Sequence, residues 1–280
     1  MMFSYKITKA LCVLSACFVA TTVFGQRIIN VGLHVAPCFS EIHTEFPGSL
    51  KDVSSEGNYN FNIKISGKYY LNKQFGVASG FEFLGFKQSS SAAQSYESFK
   101  SYDSENKIYE RRVWGSGIEE KTDLKMLQIP LQIFYQHAFN NAVAVYGSLG
   151  PGISIPVVKN NNGSGNFNYK GYYAEEKALL SDIPIYGFNS DVSVAVNNKI
   201  KTNPIVISIG ASLGVELSLN RYYRFSAALG YYRTVTNVAK TGSPIHVSDE
   251  IGSYNSLINT GKNTLSNVWL SIGISKNILF

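Results

Sequence analysis

Two groups of side chains in this sequence could do chemistry. The first is hydrolytic: His43 and His246 fall in connections that would flank a closing seam, with Glu41, Ser248 and Asp249 close to them in sequence. A histidine beside a hydroxyl and a carboxylate is the equipment of acyl transfer, in which the imidazole takes the proton of the attacking oxygen. No nucleophile motif accompanies these residues, so they read as loop side chains and the chain as a non-enzyme. The second group is ionic. If alternate residues share one interior, Lys64, Lys68, Glu82, Glu216 and Arg224 lie in it with His34, Gln128, Gln132 and Trp269. A turn centred on Lys73 would set Lys64 opposite Glu82, and one centred on Asn220 would set Glu216 opposite Arg224. Buried charges need partners, so the group reads as a structural plug of salt bridges; a proton or ion path is the sharper alternative.

The elements that would hold these residues are strands. Alternating segments fall at about 28–39, 58–71, 74–87, 123–137, 141–157, 203–219, 221–236 and 265–280. In the sixth, Ile205, Ile207, Ile209, Ala211, Leu213, Val215, Leu217 and Leu219 alternate with Val206, Ser208, Gly210, Ser212, Gly214, Glu216 and Ser218. One face is oily and the other small or polar. The last segment repeats the pattern from Val268 to Phe280, with Lys276 the exception on the oily face. Connections alternate too: links at 72–74, 138–140 and 220–221 are tight, whereas 40–57, 88–122, 158–202 and 237–264 are long and polar. Short turns at one end and long loops at the other mark a transmembrane barrel. The expected fold is therefore an all-β, eight-stranded antiparallel transmembrane β-barrel with short periplasmic turns, long extracellular loops and both termini periplasmic. Tyr69, Phe75, Tyr135, Phe139, Tyr223 and Phe280 gather near the short-turn ends as an interfacial girdle, with His137 at the same rim. A soluble sandwich or lipocalin-like barrel explains neither the girdle nor the alternation of loop lengths.

Composition agrees with that reading. Only 16% of residues are charged, low for a soluble surface, and 18 Tyr, 17 Phe and 24 Gly suit an all-β chain with many turns. After the N-terminus no apolar run reaches the ~20 residues of a membrane helix. Residues 1–25 read as a signal peptide, with Lys6 and Lys9 ahead of an apolar stretch and cleavage before Gln26; residues 26–280 form the barrel domain. The run Leu14–Cys17 offers a rival lipobox. Cys38 is then the lone mature cysteine, without metal spacing, and no metal or cofactor is expected. Of the formal charge of +6, two units leave with Lys6 and Lys9, and the remainder is scattered, so no nucleic-acid stripe is present.

The segments "KMLQIPLQIFYQH" (125–137), "AVYGSLGPGISI" (144–155), "SIGASLGVELSLNRYYRFSAALGYYR" (208–233) and the terminal "SIGISKNILF" resemble the PorT-like family of small outer-membrane β-barrels. That resemblance implies insertion by the barrel-assembly machinery, with Phe280 as part of the assembly signal, and a role for some members in secretion and gliding machines.

Three further expectations follow. Pro130 and Pro151, mid-strand residues without an amide proton, should mark a shared bulge or ladder gap. Residues 176–196 carry enough apolar side chains to fold over the mouth or dock on a protein, while the charges at 97–121 read as a solvated hairpin tip. The chain as a whole reads as an integral outer-membrane scaffold, in contact with outer-membrane lipid and a protein partner; the alternative is a narrow transport path through the charged lumen.

Overall fold

A computed structural model describes residues 28–245 and 251–279. The expected signal peptide, with Cys12 and Cys17, and His246, Ser248, Asp249 and Phe280 lie outside the described residues. The strands are β1 (Ile28–Glu45), β2 (Leu50–Tyr70), β3 (Phe75–Tyr102), β4 (Ile108–Ala138), β5 (Val143–Tyr173), β6 (Ala178–Leu180), β7 (Val192–Lys199), β8 (Val206–Ser218), β9 (Tyr223–Thr234) and β10 (Lys262–Leu279).

Eight of these close on themselves. The order β1-β2-β3-β4-β5-β8-β9-β10 returns to β1 with every neighbouring pair antiparallel. The seam between β1 and β10 is paired from Ile28↔Leu279 to Glu45↔Lys262, so the closing strand has no open edge along it. Side-chain parity holds as the sequence demands: Leu213 is 72% exposed on the outside of the ring, while Ser212 beside it is 9% exposed on the inside. The same contrast runs through Leu33, Ile65, Leu131, Ile153, Leu229 and Ile272, all exposed. An apolar belt around a closed ring is the surface hydrocarbon requires, and water would penalise it heavily.

The three tight turns share one device. Asn72 Oδ1 accepts from the amides of Gln74 and Phe75, both at 2.8 Å. Asn140 does the same for Ala142 and Val143, and Asn220 for Tyr222 and Tyr223. Asparagine reproduces a backbone turn with its own side chain, and each of these turns is an apolar residue, then Asn, then two residues before the next strand. Near the turns Phe75 stacks against Tyr135 with ring centroids 5.0 Å apart, and Phe139 meets His137 at 5.1 Å.

Above the belt the architecture departs from long free loops. Segments 40–57 and 88–122 continue as strands, and β3 and β4 pair all the way out to Tyr102↔Ile108. A strand of 31 residues, β4, reaches about 100 Å along its path, several times what a tilted bilayer crossing requires. Beyond the end of β8, β5 takes β7 as its partner, with Asn160↔Lys199 through Phe167↔Val192. A register shift at Val157, next to Pro156, reverses which β5 residues face inward, so that Asn161 is buried while Asn160 and Asn162 are exposed. The expected gap at Pro130 and Pro151 is present without a bulge: Pro130↔Gly152 and Ile133↔Leu149 keep one register, and the two pairs between them lapse. A Cβ on Gly150 would stand 2.0 Å from the Leu131 carbonyl oxygen, so the strands press closest where the ladder lapses.

The interior holds two apolar clusters. One fills the upper barrel with Leu84, Phe86, Leu124, Met126 and Val206, joined by Val238 and Ile258 of the β9–β10 connection. The other, in the extension, joins Val113, Ile118 and Phe167 to Ile245, Tyr254 and Leu257 of that connection. The described residues of 237–264 thus do not form a polar loop; they pack into the mouth as its stopper. Residues 176–196 instead build wall, with Phe188 and Val194 buried, while Leu179, Ile185 and Tyr186 are exposed.

Leu213 sits near the middle of the belt, so Leu213→Arg should destabilise the barrel in lipid vesicles by about 2–4 kcal/mol. Chemical denaturation compared with Leu213→Ala measures it; an arginine variant as stable as the alanine one would mean this face meets water.

Candidate functional site

The ionic group expected inside the barrel is there, wired differently. Lys64 and Glu82 are directly cross-strand, as a turn centred on Lys73 requires. No ion pair joins them among the described residues; each lines small cavities of about 40 Å³ and about 20 Å³ shared with Gln132, Pro130 and Trp269. Such volumes admit a few waters between the two charges. The β8–β9 turn is centred on Arg221, one residue later than the sequence suggests, so Glu216 faces Ser226 and Ser218 faces Arg224. Arg224 still reaches Glu216 diagonally, Nη1 to Oε2 at 3.1 Å.

Lys68 provides the second cation. Its ammonium donates to Glu216 Oε1 from the opposite wall and lies 3.8 Å from the centre of the Tyr146 ring. Arg224 also donates to Tyr70 Oη at 2.9 Å, and Tyr70 donates to Gln136 at 3.0 Å. One carboxylate, 2% exposed, thus ties two cations from two walls into a plug near the short-turn end. His34 lies above it, its Nε2 2.9 Å from Ser66 Oγ, and Trp269 lines the cavity overhead. With the salt-bridged plug below and the apolar cluster above, the described residues enclose cavities rather than an open channel.

Of the hydrolytic residues, only Glu41 and His43 lie among the described ones. His43 is exposed, 3.7 Å from Glu41 Oε2, and its remaining partners lie outside the described residues. The 97–121 charges are not all solvated either. Arg111 is 7% exposed, and Glu120, at 3%, accepts from Ser256 Oγ and the Leu257 amide at 3.0 Å. It thereby anchors the mouth stopper at the start of a 3-10 turn, Leu257–Asn259. Burial pushes the Glu120 carboxyl up to about 7, against the opposing pull of the Leu257, Ser256 and Asn161 hydrogen bonds. Gly163 makes the room: a Cβ there would strike Tyr254 Oη at 2.3 Å and Glu120 Cγ at 2.9 Å. Sequence reasoning missed this anchor because Glu119, Glu120 and Lys121 look alike as a charged run, and parity becomes readable only once the strand is known to extend.

The outward face of the extension is the other surface of interest. Tyr96 pairs across to Trp114 with ring centroids 5.2 Å apart, Lys170 Nζ lies 5.4 Å from the Trp114 ring, and Arg112 stacks 4.1 Å from Tyr172. The sequence reading took Arg112 only as one of the charges at 97–121 and did not single out the others, because it treated their segments as loops.

No protein-family model matches the chain, and no curated protein matches it. Among solved structures it is similar to Neisserial surface protein A (14% identity, 89% of this chain and 96% of that one, TM-score 0.39). It is also similar to the outer membrane protein OprG of Pseudomonas aeruginosa (14%, 91% and 96%, TM-score 0.44) and to Ail, the attachment invasion locus protein of Yersinia pestis (13%, 91% and 100%, TM-score 0.34). These likenesses are too distant to assign a fold or an activity; the barrel rests on its own strand pairing.

Two outcomes test this geometry. Glu216→Gln leaves Lys68 and Arg224 without their counter-charge and should cost about 3–5 kcal/mol, seen as a lower temperature for loss of the folded band in heat-modifiability gels. An unchanged transition would show that the plug is not structural. For Glu120, the native chain keeps its proton to about pH 7 whereas an ordinary glutamate loses it near 4.5. Stability from this group is therefore greatest below pH 4.5 and falls by up to about 3 kcal/mol as pH rises to 7. Proteolysis of the 235–261 segment should quicken over that range in the wild type and stay flat in Glu120→Gln; parallel curves would remove Glu120 as the anchor.

Proposed function

We propose that this chain is an integral outer-membrane barrel that works as a binding or scaffold subunit through its extension, with no enzymatic activity. The observation that carries this reading is the division of the molecule. A plugged, belt-wrapped ring fits lipid, while more than half of β3, β4 and β5 stands beyond it as folded, polar-faced sheet. A barrel whose lumen is filled does its work at its surface. In this reading the three Asn-capped turns and both termini face the periplasm and the extension faces outward. Outer-membrane lipid, the barrel-assembly machinery and a protein partner are the contacts, and nucleic acid is not. The PorT-like resemblance favours a secretion or related outer-membrane complex as the setting.

Transport through the lumen is the competing reading, and it would require the Glu216 plug and the 235–261 stopper to move together. Planar bilayers separate the two: the scaffold reading expects no steady conductance above the lipid background. Steady conductance altered by Glu82→Gln would overturn it in favour of transport. Mild-detergent affinity purification with mass spectrometry addresses the complex, because a barrel recovered alone would remove the subunit role.

A further inference from the structure

The outward face of the β3–β4–β5 extension carries side chains that neither the barrel nor its cores use. Its cross-strand rows are Tyr96–Trp114–Asn168, Ser98–Arg112–Lys170 and Lys100–Glu110–Tyr172. The opposite face of the same strands, with Tyr109, Val113, Phe167 and Tyr169, is already buried, so the outward aromatics are not needed for the core. Tyr96 is 41% and Tyr102 65% exposed, far above the belt where lipid would cover them. From Phe83, at the upper margin of the belt, to Tyr96 is thirteen residues of strand, about 40 Å of path.

The chemistry of this face is specific. Three cations, Lys100, Arg112 and Lys170, surround one acid, Glu110, which Arg112 already holds at 3.0 Å. The aromatic rings lie among amides and hydroxyls rather than aliphatics. Lower on the extension an open depression of about 630 Å³ is lined by Ser54, Ser89, Ser91, Asn162 and Ser164 together with Lys121 and three glutamates, Glu56, Glu119 and Glu120, so its charge does not favour an acidic ligand and the cationic face is confined to the rows above it. Aromatic rings offer a stacking surface for the C–H faces of sugar rings, amides and hydroxyls pair with their hydroxyl groups, and an excess of cations selects acidic substituents. Tyrosine, tryptophan and arginine also anchor protein partners, so an acidic protein is the occupant that the test must separate from a glycan.

We propose that this face is a binding site for acidic glycan chains, with Trp114 and Tyr96 as the stacking platform and Lys100 and Lys170 as the charge-selecting groups. The proposal deepens the surface-binding function given above and rests on it for the claim that the face is exposed outside the cell. The chain contains two tryptophans, Trp114 on this face and Trp269 in the lumen, so intrinsic fluorescence reports the site once Trp114→Phe is used as the blank. The full-length protein in detergent is titrated with a heparin octasaccharide, polygalacturonate oligomers, neutral dextran and polyglutamate.

The expected result is a saturable change in wild-type emission with one or both acidic glycans, absent in Trp114→Phe and weakened by added salt. Affinity should fall about tenfold or more in a Lys100→Ala/Lys170→Ala variant that keeps wild-type heat-modifiability. Which acidic glycan binds tells sulfated from carboxylated ligands. Equal affinity in the double variant, equal binding of dextran, or equal binding of polyglutamate would overturn the proposal. Polyglutamate binding alone would point to an acidic protein partner. Labelled octasaccharide on intact expressing cells separates the two claims: binding in detergent but not on cells upholds the site and removes its outward placement, whereas failure in detergent removes the site itself.

Discussion

Hydrocarbon supplies no hydrogen-bond partner, so every amide in the belt must be satisfied by a neighbouring strand, and the β1–β10 seam is where that requirement completes itself. Once the ring is closed, side-chain period two leaves each residue in the belt with one of two destinations. Oily residues go out to lipid, and small or polar ones go into a lumen that eight strands make just wide enough to fill. The plug follows from this. Glycine and serine on the inner face leave space, and Lys68, Glu216, Arg224 and Tyr70 from opposite walls fill it with mutually satisfied charge.

The lumen changes character with height, and closure explains why that is tolerable. Near the short turns the interior is ionic, because a charged group there can be met from across the ring. At the mouth the interior is apolar, because the β9–β10 connection brings in Val238, Leu257 and Ile258, which must be buried somewhere. Polar anchors hold that connection in register with the wall. Asn263 Oδ1 accepts from the Val238 and Ala239 amides, Asn259 donates to the Lys201 and Lys240 carbonyls, and Glu120 receives Leu257. An irregular segment with buried amides is stable only when its backbone groups are individually satisfied, and here asparagine and glutamate side chains supply what a ladder would.

Within the belt the sequence was readable, because lipid and lumen impose an alternation that 203–219 and 265–280 display with little interruption, Lys276 being an exception. Turn position was readable to within two residues: the link expected at 138–140 is centred on Asn141 and the one expected on Asn220 is centred on Arg221. The repeated apolar-Asn-x-x pattern at Asn72, Asn140 and Asn220 would have centred the β8–β9 hairpin correctly, had the Asn side chain been taken as the turn's own cap. Above the belt the signal fades for a physical reason: water accepts either face of a strand, so Ser89–Ser90–Ser91 and Asn160–Asn161–Asn162 carry no alternation. The parity reversal at Val157 then hides that Asn161 is inside. Burial of Glu120 depends on a partner more than a hundred residues away, beyond the reach of local pattern.

The two halves of the molecule therefore differ in what selects their sequence. In the belt, each outward residue answers to lipid and each inward one to a filled ring, which leaves little freedom for a specific surface. In the extension, the inward face is still constrained by Phe167, Val113 and Tyr254, but among the described residues no core packs on the outward face. Aromatic and basic side chains placed there gain only modest cross-strand energy, on the order of 0.2–1 kcal/mol per pair, and expose ring surface that water disfavours. Serine or threonine would hold the same sheet in water without exposing those rings, so Tyr96, Trp114 and the neighbouring Lys170 are best understood through what they meet outside the chain.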